Sequence, residues 1–188
     1  MSTALIIVDI QNDYFPNGKM ELSNPDKAAA NAAKILDWFR KNNKDNVFHV
    51  QHIASSPELG FFLPDTEGVE INETVLPLER ENIVVKNFPN SFLKTDLESK
   101  LRANGVTKVV IVGMMTHMCI DATVRAAVDL GFETTLIEDA CATRELPYQD
   151  QVVPAEQVHN AFVSALGSMY CGVSSTEDFL QQRANTSL

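Results

Sequence analysis

Ala4-Leu-Ile-Ile-Val8 is an unbroken apolar run, too short for a core helix and without the alternation of a half-solvated strand. A run of this kind reads as a strand buried on both faces, and such strands belong to parallel sheets covered by helices. The rest of the chain repeats the theme. Val47–Ile53, Ile83–Lys86, Val109-Val-Ile-Val112 and Glu133–Ile137 predict further strands, and a short one near Val173 completes the set. Helical patterns lie between them. Asn24 offers an N-cap and Pro25 a first helical position, and Ala28, Ala32, Ile35, Leu36 and Phe39 recur at helical spacing over about Pro25–Asn42. Thr95 with Glu98 predicts a capping box for a short helix that faces the core through Leu97 and Leu101 and closes at Gly105. Ile120, Val124, Ala127 and Val128 mark the next helix, with Gly131 behind it, and Val158, Ala161, Phe162, Ala165, Leu166 and Met169 a last long one. Ala54–Arg80 alone carries no clear long element. It holds Phe61, Phe62 and Leu63, which a solvent loop does not need, and long loops of this kind are usually functional.

Strands alternating with helices predict an α/β fold: a three-layer α/β/α arrangement around a mostly parallel, Rossmann-like sheet, with residues 1–188 as one domain. Right-handed crossovers place every strand's C-terminal end along one edge, and ligands of open sheets bind in the crevice there. The charge balance narrows the partners. Fifteen Lys+Arg against 25 Asp+Glu give −10, which argues against a nucleic-acid partner and an anionic membrane surface. No apolar run approaches the ~20 residues of a membrane span. The first apolar run follows no positive charge and ends at Asp9, unlike a secretory signal, so a cytoplasmic location is expected. Three widely spaced cysteines, Cys119, Cys141 and Cys171, make neither a disulfide framework nor a C-x-x-C zinc site.

Three side chains fall at the carboxyl edge: Asp9 after the first strand, Lys86 at the end of the third and Cys119 after the fourth. Each has an ordinary reading alone, as a turn residue, a solvated lysine and a small core hydrophobe. The fold brings them to one crevice. A thiol at a helix N-terminus meets unpaired N–H groups and the positive dipole end, and a nearby ammonium favours its thiolate further. A carboxylate can take the thiol proton and return it to a leaving amine, while backbone N–H groups hold an oxyanion. These are the parts of acyl transfer through a thioester.

The same residues carry a resemblance. Asp9-Ile-Gln-Asn-Asp13-Tyr14 resembles the D-x-Q-x-D-F opening of isochorismatase-like cysteine hydrolases, a family related to nicotinamidases. Val85-Lys86 with Phe88-Pro-Asn-Ser91-Phe92 resembles that family's lysine segment, and Gly113-Met-Met-Thr116-His-Met-Cys119-Ile120 its G-x-x-T-x-x-C-V nucleophile loop. The resemblance runs from residue 4 to about residue 173. It implies an Asp–Lys–Cys triad at Asp9, Lys86 and Cys119, a cis bond before Met115, and an oxyanion hole from the N–H groups of Met115 and Cys119. The chain reads Phe48-His49-Val-Gln-His52 where nicotinamidases carry a D-x-H metal motif. Without that Asp, no metal and no other cofactor is expected. The resemblance also implies a homodimer or homotetramer, and Phe61-Phe-Leu63, exposed on a monomer, would be a costly patch.

Further residues have competing readings. His49 and His52 point to opposite faces of a strand, so at least one is structural, and His52, nearer the strand's end, can reach the pocket. His117 lies in the nucleophile loop. Tyr14, Phe88 and Phe92 can stack on a flat substrate or pack in the core. Asp13 can position Lys86 or cap backbone amides. Cys141 is a second thiol or part of a structural loop, and Cys171 is packing. The leading expectation is a small-molecule amide hydrolase. A vinyl-ether hydrolase with Cys119 idle, and a ligand-binding member without turnover, remain as alternatives.

Overall fold

The computed structural model describes residues 2–186. In chain order the elements are β1 (Ser2–Val8), α1 (Pro25–Asn42), β2 (Val47–His52), β3 (Asn82–Lys86), α2 (Leu97–Ala103), β4 (Val106–Met114), α3 (Asp121–Asp129) and β5 (Glu133–Ala142). A hairpin of β6 (Leu146–Tyr148) and β7 (Gln151–Val153) follows, then α4 (Ala155–Met169), β8 (Gly172–Ser174) and α5 (Thr176–Thr186). Six strands form one sheet in the order β3-β2-β1-β4-β5-β8, all neighbours parallel. Among the described residues, no helix is long and apolar enough to cross a membrane.

The alternation of the central strands splits the core into two layers. Leu5 and Ile7 of β1, with Val110, Val112 and Met114 of β4, pack against α1 and Phe179 of α5. Ala4, Ile6 and Val8, with Val109 and Ile111, pack against α2, α3 and Leu166 of α4. Side chains on both faces are buried, which is why these strands read as continuous apolar runs. The strand order reverses between β1 and β4, and a crevice opens at the carboxyl ends of such a pair. There the two backbones close up: Val8 registers with Gly113, and a Cβ on Gly113 would run into the Val8 carbonyl oxygen.

Several local expectations change. Asn24 precedes α1, and Pro25 opens it, but Asn24 is left-handed with φ 52° and makes no side-chain cap. The Thr95–Glu98 capping box does not form. The helix starts at Leu97, Thr95 Oγ1 donates to the Ser91 carbonyl at 2.6 Å, and Glu98 pairs with Arg102 one turn on. Strand β5 runs on to Ala142 because its pairing with β4 slips between Ile111 and Gly113. The added stretch is held from outside the sheet. The Asp139 carboxylate accepts from Thr176 N and Oγ1, and its carbonyl from Asn31 Nδ2. In α4 only Val158 and Leu166 are buried, while Ala161, Ala165 and Met169 face outward. The helix packs through one line against α3, β8 and the Thr116–Ile120 turn.

Residues 54–80 have no long element, yet they are fixed. The Gln11 amide donates to the His52 and Val69 carbonyls at 2.9 and 2.7 Å, and its oxygen accepts from His52 N at 2.8 Å. Asp13 accepts from Phe62 N at 2.6 Å and Lys19 N at 3.1 Å, so it caps amides and does not touch Lys86. Phe62 is buried, and Phe61 and Leu63 are half-buried. The stretch therefore presents no bare apolar patch, which removes that argument for an interface. His49 is the structural histidine of its strand. It faces α1 and meets Glu81 at 2.9 Å, and the same carboxylate takes Arg40 Nε at 2.7 Å. Burial works against the charge of Glu81, but Arg40, the Leu78 N–H and His49 hold its carboxyl down at about 2.

Gly113 is expected to tolerate no side chain. Its φ of 131° and the missing space beneath Val8 should make Gly113→Ala cost about 2 kcal/mol or more. A urea midpoint equal to that of the parent protein would contradict this.

Candidate active site

Each partner of the site is delivered by a strand end. β1 stops at Val8, and Asp9 turns left-handed with φ 52° while its N–H donates to the Val50 carbonyl, so the chain leaves the sheet with the Asp9 carboxylate in the crevice. Lys86 is the last residue of β3, in register with His52 at the end of β2. Cys119 sits in the wide helical turn Thr116–Ile120 between β4 and α3, just ahead of Ile120, the N-cap of the regular helix. The bond between Met114 and Met115 is cis, and Met115 and Cys119 both line the crevice.

The Lys86 ammonium joins the parts. Its Nζ lies 2.7 Å from Asp9 Oδ2, 2.8 Å from His52 Nδ1 and 3.4 Å from Cys119 Sγ. An ammonium has three N–H bonds and no acceptor, so these contacts exhaust it. His52 Nδ1 must therefore accept, which fixes a neutral ring with its proton on Nε2. Burial and then the Lys86 charge, opposed by Asp9, hold the ring down at about 4. Asp9, Lys86 and Cys119 are almost wholly shielded from solvent.

The thiol is not depressed as the helix-terminus argument expects. Burial pushes Cys119 well above the usual thiol range, the Asp9 charge pushes the same way, and Lys86 opposes. Burial is the larger cause, and a shared counter-charge adds to it: Lys86 already neutralises Asp9, so a thiolate beside both would leave net negative charge in a dry site. Moving the thiol proton onto Asp9 avoids this, because Lys86 then faces a thiolate and a neutral acid. Asp9 Oδ1 is buried and accepts no hydrogen bond from the described residues. A buried carboxylate oxygen without a donor is costly, and with the Asp9 carboxylate within 4.8 Å of the Cys119 sulfur the carboxylate is a place for that proton.

A cavity of about 640 Å³ opens onto Cys119. Tyr14, His52 and His117 line it, as do Phe61, Phe62 and Arg144. Tyr14 stands edge-on to Phe62 at 4.6 Å, and burial first, then the charges of Cys119, Asp9 and Asp13, keep its hydroxyl protonated. His117 Nδ1 meets Thr143 Oγ1 at 2.5 Å, and burial and then Arg144 hold its ring below the usual value. Phe88 and Phe92 do not line the cavity. Phe88 is exposed under Lys94, and Phe92 stacks on Phe132 at 6.0 Å in the helix layer, while Asn87 and Pro89 of the same stretch face the cavity. The aromatic wall comes instead from residues 54–80, whose apolar stretch signalled burial without saying where. Arg144 had no periodic or motif signal. Cys141 is buried against the Ile137 carbonyl, and Cys171 is half-buried with its thiol raised to about 11 by burial.

Asp9, His52 and Cys119 also place one donor atom each within 4.8 Å of one another, a spacing suited to a cation. All three point at the Lys86 ammonium, which already holds that position. The donor set is therefore committed and does not fit an added metal ion.

Residues 3–177 match the Isochorismatase domain family. The chain is 58% identical over 181 residues to the uncharacterized isochorismatase family protein YddQ of Bacillus subtilis, covering 96% of this chain and 100% of that one. The crystal structure of an isochorismatase-type hydrolase from Oleispira antarctica superposes with a TM-score of 0.91 at 44% identity over 96% of either chain. Ureidoacrylate amidohydrolase RutB of Acinetobacter baylyi is 29% identical over 210 residues, 95% of this chain and 82% of that one. The chain belongs to the isochorismatase family of hydrolases.

The shared counter-charge has a measurable sign. Asp9 raises the Cys119 thiol and Lys86 lowers it. Asp9→Asn should therefore lower the thiol pKa, leaving Lys86 with the thiolate as its partner, and Lys86→Met should raise it. Ultraviolet thiolate absorbance against pH reads both. An Asp9→Asn protein titrating above the parent would refute the arrangement.

Proposed function

We propose that this isochorismatase-family hydrolase cleaves a C–N amide bond of a small molecule through a thioester on Cys119. The observation that carries the reading is the buried Asp9 carboxylate and the Cys119 thiol, brought within 4.8 Å of each other and both served by one ammonium. Sγ attacks the carbonyl carbon as its proton passes to Asp9. Lys86 holds the sulfur as it becomes anionic, so net charge in the site stays constant. The N–H groups of Met115 and Cys119 take the developing oxyanion. When the tetrahedral adduct collapses, the C–N bond breaks and Asp9 hands its proton to the leaving nitrogen. Water then attacks the thioester, gives a proton to Asp9, and the acid departs as the thiol recovers that proton. The sum is amide and water to carboxylic acid and amine. The amidohydrolase name of the RutB relative supports the same bond type.

Vinyl-ether cleavage has no use for a buried thiol paired with a carboxylate and an ammonium, so the geometry favours the amide. Ammonia or amine release from a panel of small amides is the direct assay. On any substrate found, Cys119→Ala should abolish turnover and Asp9→Asn should lower kcat/KM by ~10²–10⁴-fold, since the leaving nitrogen loses its acid. Lys86→Ala should recover part of its loss as pH rises, because its defect is a raised thiol pKa. The three losses should not add. Parent activity should also fall toward pH 4, where His52 takes a proton and can no longer accept from Lys86. Near-parent activity in Cys119→Ala would overturn the thioester route.

A further inference from the structure

Beyond the triad, the cavity wall holds a cation that the mechanism does not use. Arg144 follows the end of β5 and lines the cavity together with Cys119 and His117. Its guanidinium offers five N–H bonds in a planar fork. Among the described residues its acceptors are weak or peripheral: Nη1 points at the Met20 sulfur at 2.7 Å, and Nε reaches the Glu145 carbonyl at 3.3 Å. Among the described residues no carboxylate comes within 4.0 Å of Arg144, although Glu58 lines the same cavity and the chain carries 25 acidic residues. Among the described residues, six other arginine and lysine side chains make carboxylate pairs on the surface or inside. Arg144 is half-buried, and among the described residues its fork meets no carboxylate where a bound molecule would lie. Lys86, the other nearby cation, is spent on Asp9, His52 and Cys119. His117 beside it is neutral and carries no charge to compete.

We infer that Arg144 is an anion-reading residue, and that the substrate carries a carboxylate in addition to the bond cleaved at Cys119. Planar guanidinium–carboxylate pairing is the fit that this fork offers, and in a part-buried wall it selects strongly against the neutral analogue. The inference rests on the amide-hydrolase reading for the identity of the cleaved bond only. The polar end of the ligand is read by Arg144 whether or not turnover follows.

The test is binding to the full chain carrying Cys119→Ala, so that nothing is consumed. The probes are the monoamide of a four-carbon dicarboxylic acid and the matched uncharged diamide, compared by calorimetry. The monoamide is expected to bind about 10–100-fold more tightly, the range of a charge-assisted hydrogen-bonded pair. Arg144→Gln should erase that preference, and Arg144→Lys should keep part of it. A second reading follows from the neighbour. Arg144 helps hold His117 below its usual value, so a bound anion should raise the His117 pKa in ring NMR, as should Arg144→Gln without ligand. Equal affinities, no binding of the monoamide, or a preference surviving Arg144→Gln would each overturn the inference. Ammonia release by the chain with Cys119 intact separates the two readings. Turnover without a carboxylate preference leaves the amide hydrolase and removes the anion site. Arg144-dependent binding without turnover does the reverse.

Discussion

One buried ammonium organises this molecule's chemistry. Lys86 is shielded from water and must find all of its hydrogen bonds in protein, since an unpaired charge there would cost several kcal/mol. It finds them at Asp9, His52 and Cys119, one from each of three segments far apart in the chain. The arrangement has a chemical consequence. With a single positive charge available, only one of Asp9 and Cys119 can be its anion at a time. A proton passing between the two would leave the net charge of the site unchanged, which suits the thioester route proposed above.

That geometry would be loose without the residues behind it. The D-x-Q-x-D opening divides into separate jobs along one short stretch. Asp9 turns left-handed out of β1 and aims its carboxylate, Gln11 holds His52 by both its N–H and its carbonyl, and Asp13 pins Phe62. His52 is thus fixed through its backbone before its ring meets Lys86. Gly68 lies against the Asp13 carboxylate, where a Cβ would collide, so residues 54–80 can close down over the motif. A segment without a long helix or strand becomes a fixed wall because some of its backbone groups are answered by side chains from the strand-one linker.

The cavity combines two environments. Near Cys119 the walls are apolar and aromatic, from Tyr14, Phe61, Phe62 and Met115, which keeps water away from the ammonium and strengthens its interactions. Arg144 and His117 supply polarity on the same lining. Lys86 contacts both Asp9 and Cys119, so under the two proposals above the charge at the chemistry and the charge for recognition belong to different cations.

The sequence by itself determined the layered parallel sheet. Continuous apolar runs such as Ala4–Val8 and Val109–Val112, separated by helical stripes, leave few other ways to bury both faces of each strand. It also placed Asp9, Lys86 and Cys119 at strand ends, because a strand's end is a local property and the topology rule carries it to a common edge. Capping at Thr95, the reach of β5 and the outward face of α4 were not legible, since each depends on which distant groups compete for the same hydrogen bonds or apolar surface. The same holds for the site's finer content. That Phe61 and Phe62, and not Phe88 and Phe92, line the cavity depends on how residues 54–80 fold back onto Gln11 and Asp13. That the thiol is held up, and not down, depends first on its burial and then on Asp9 and Cys119 sharing one counter-ion, a distance relation among residues 9, 86 and 119. Periodicity reports what each segment wants to bury; only the tertiary structure decides which charges meet, because electrostatic energies depend on separations of a few ångströms that no local pattern encodes.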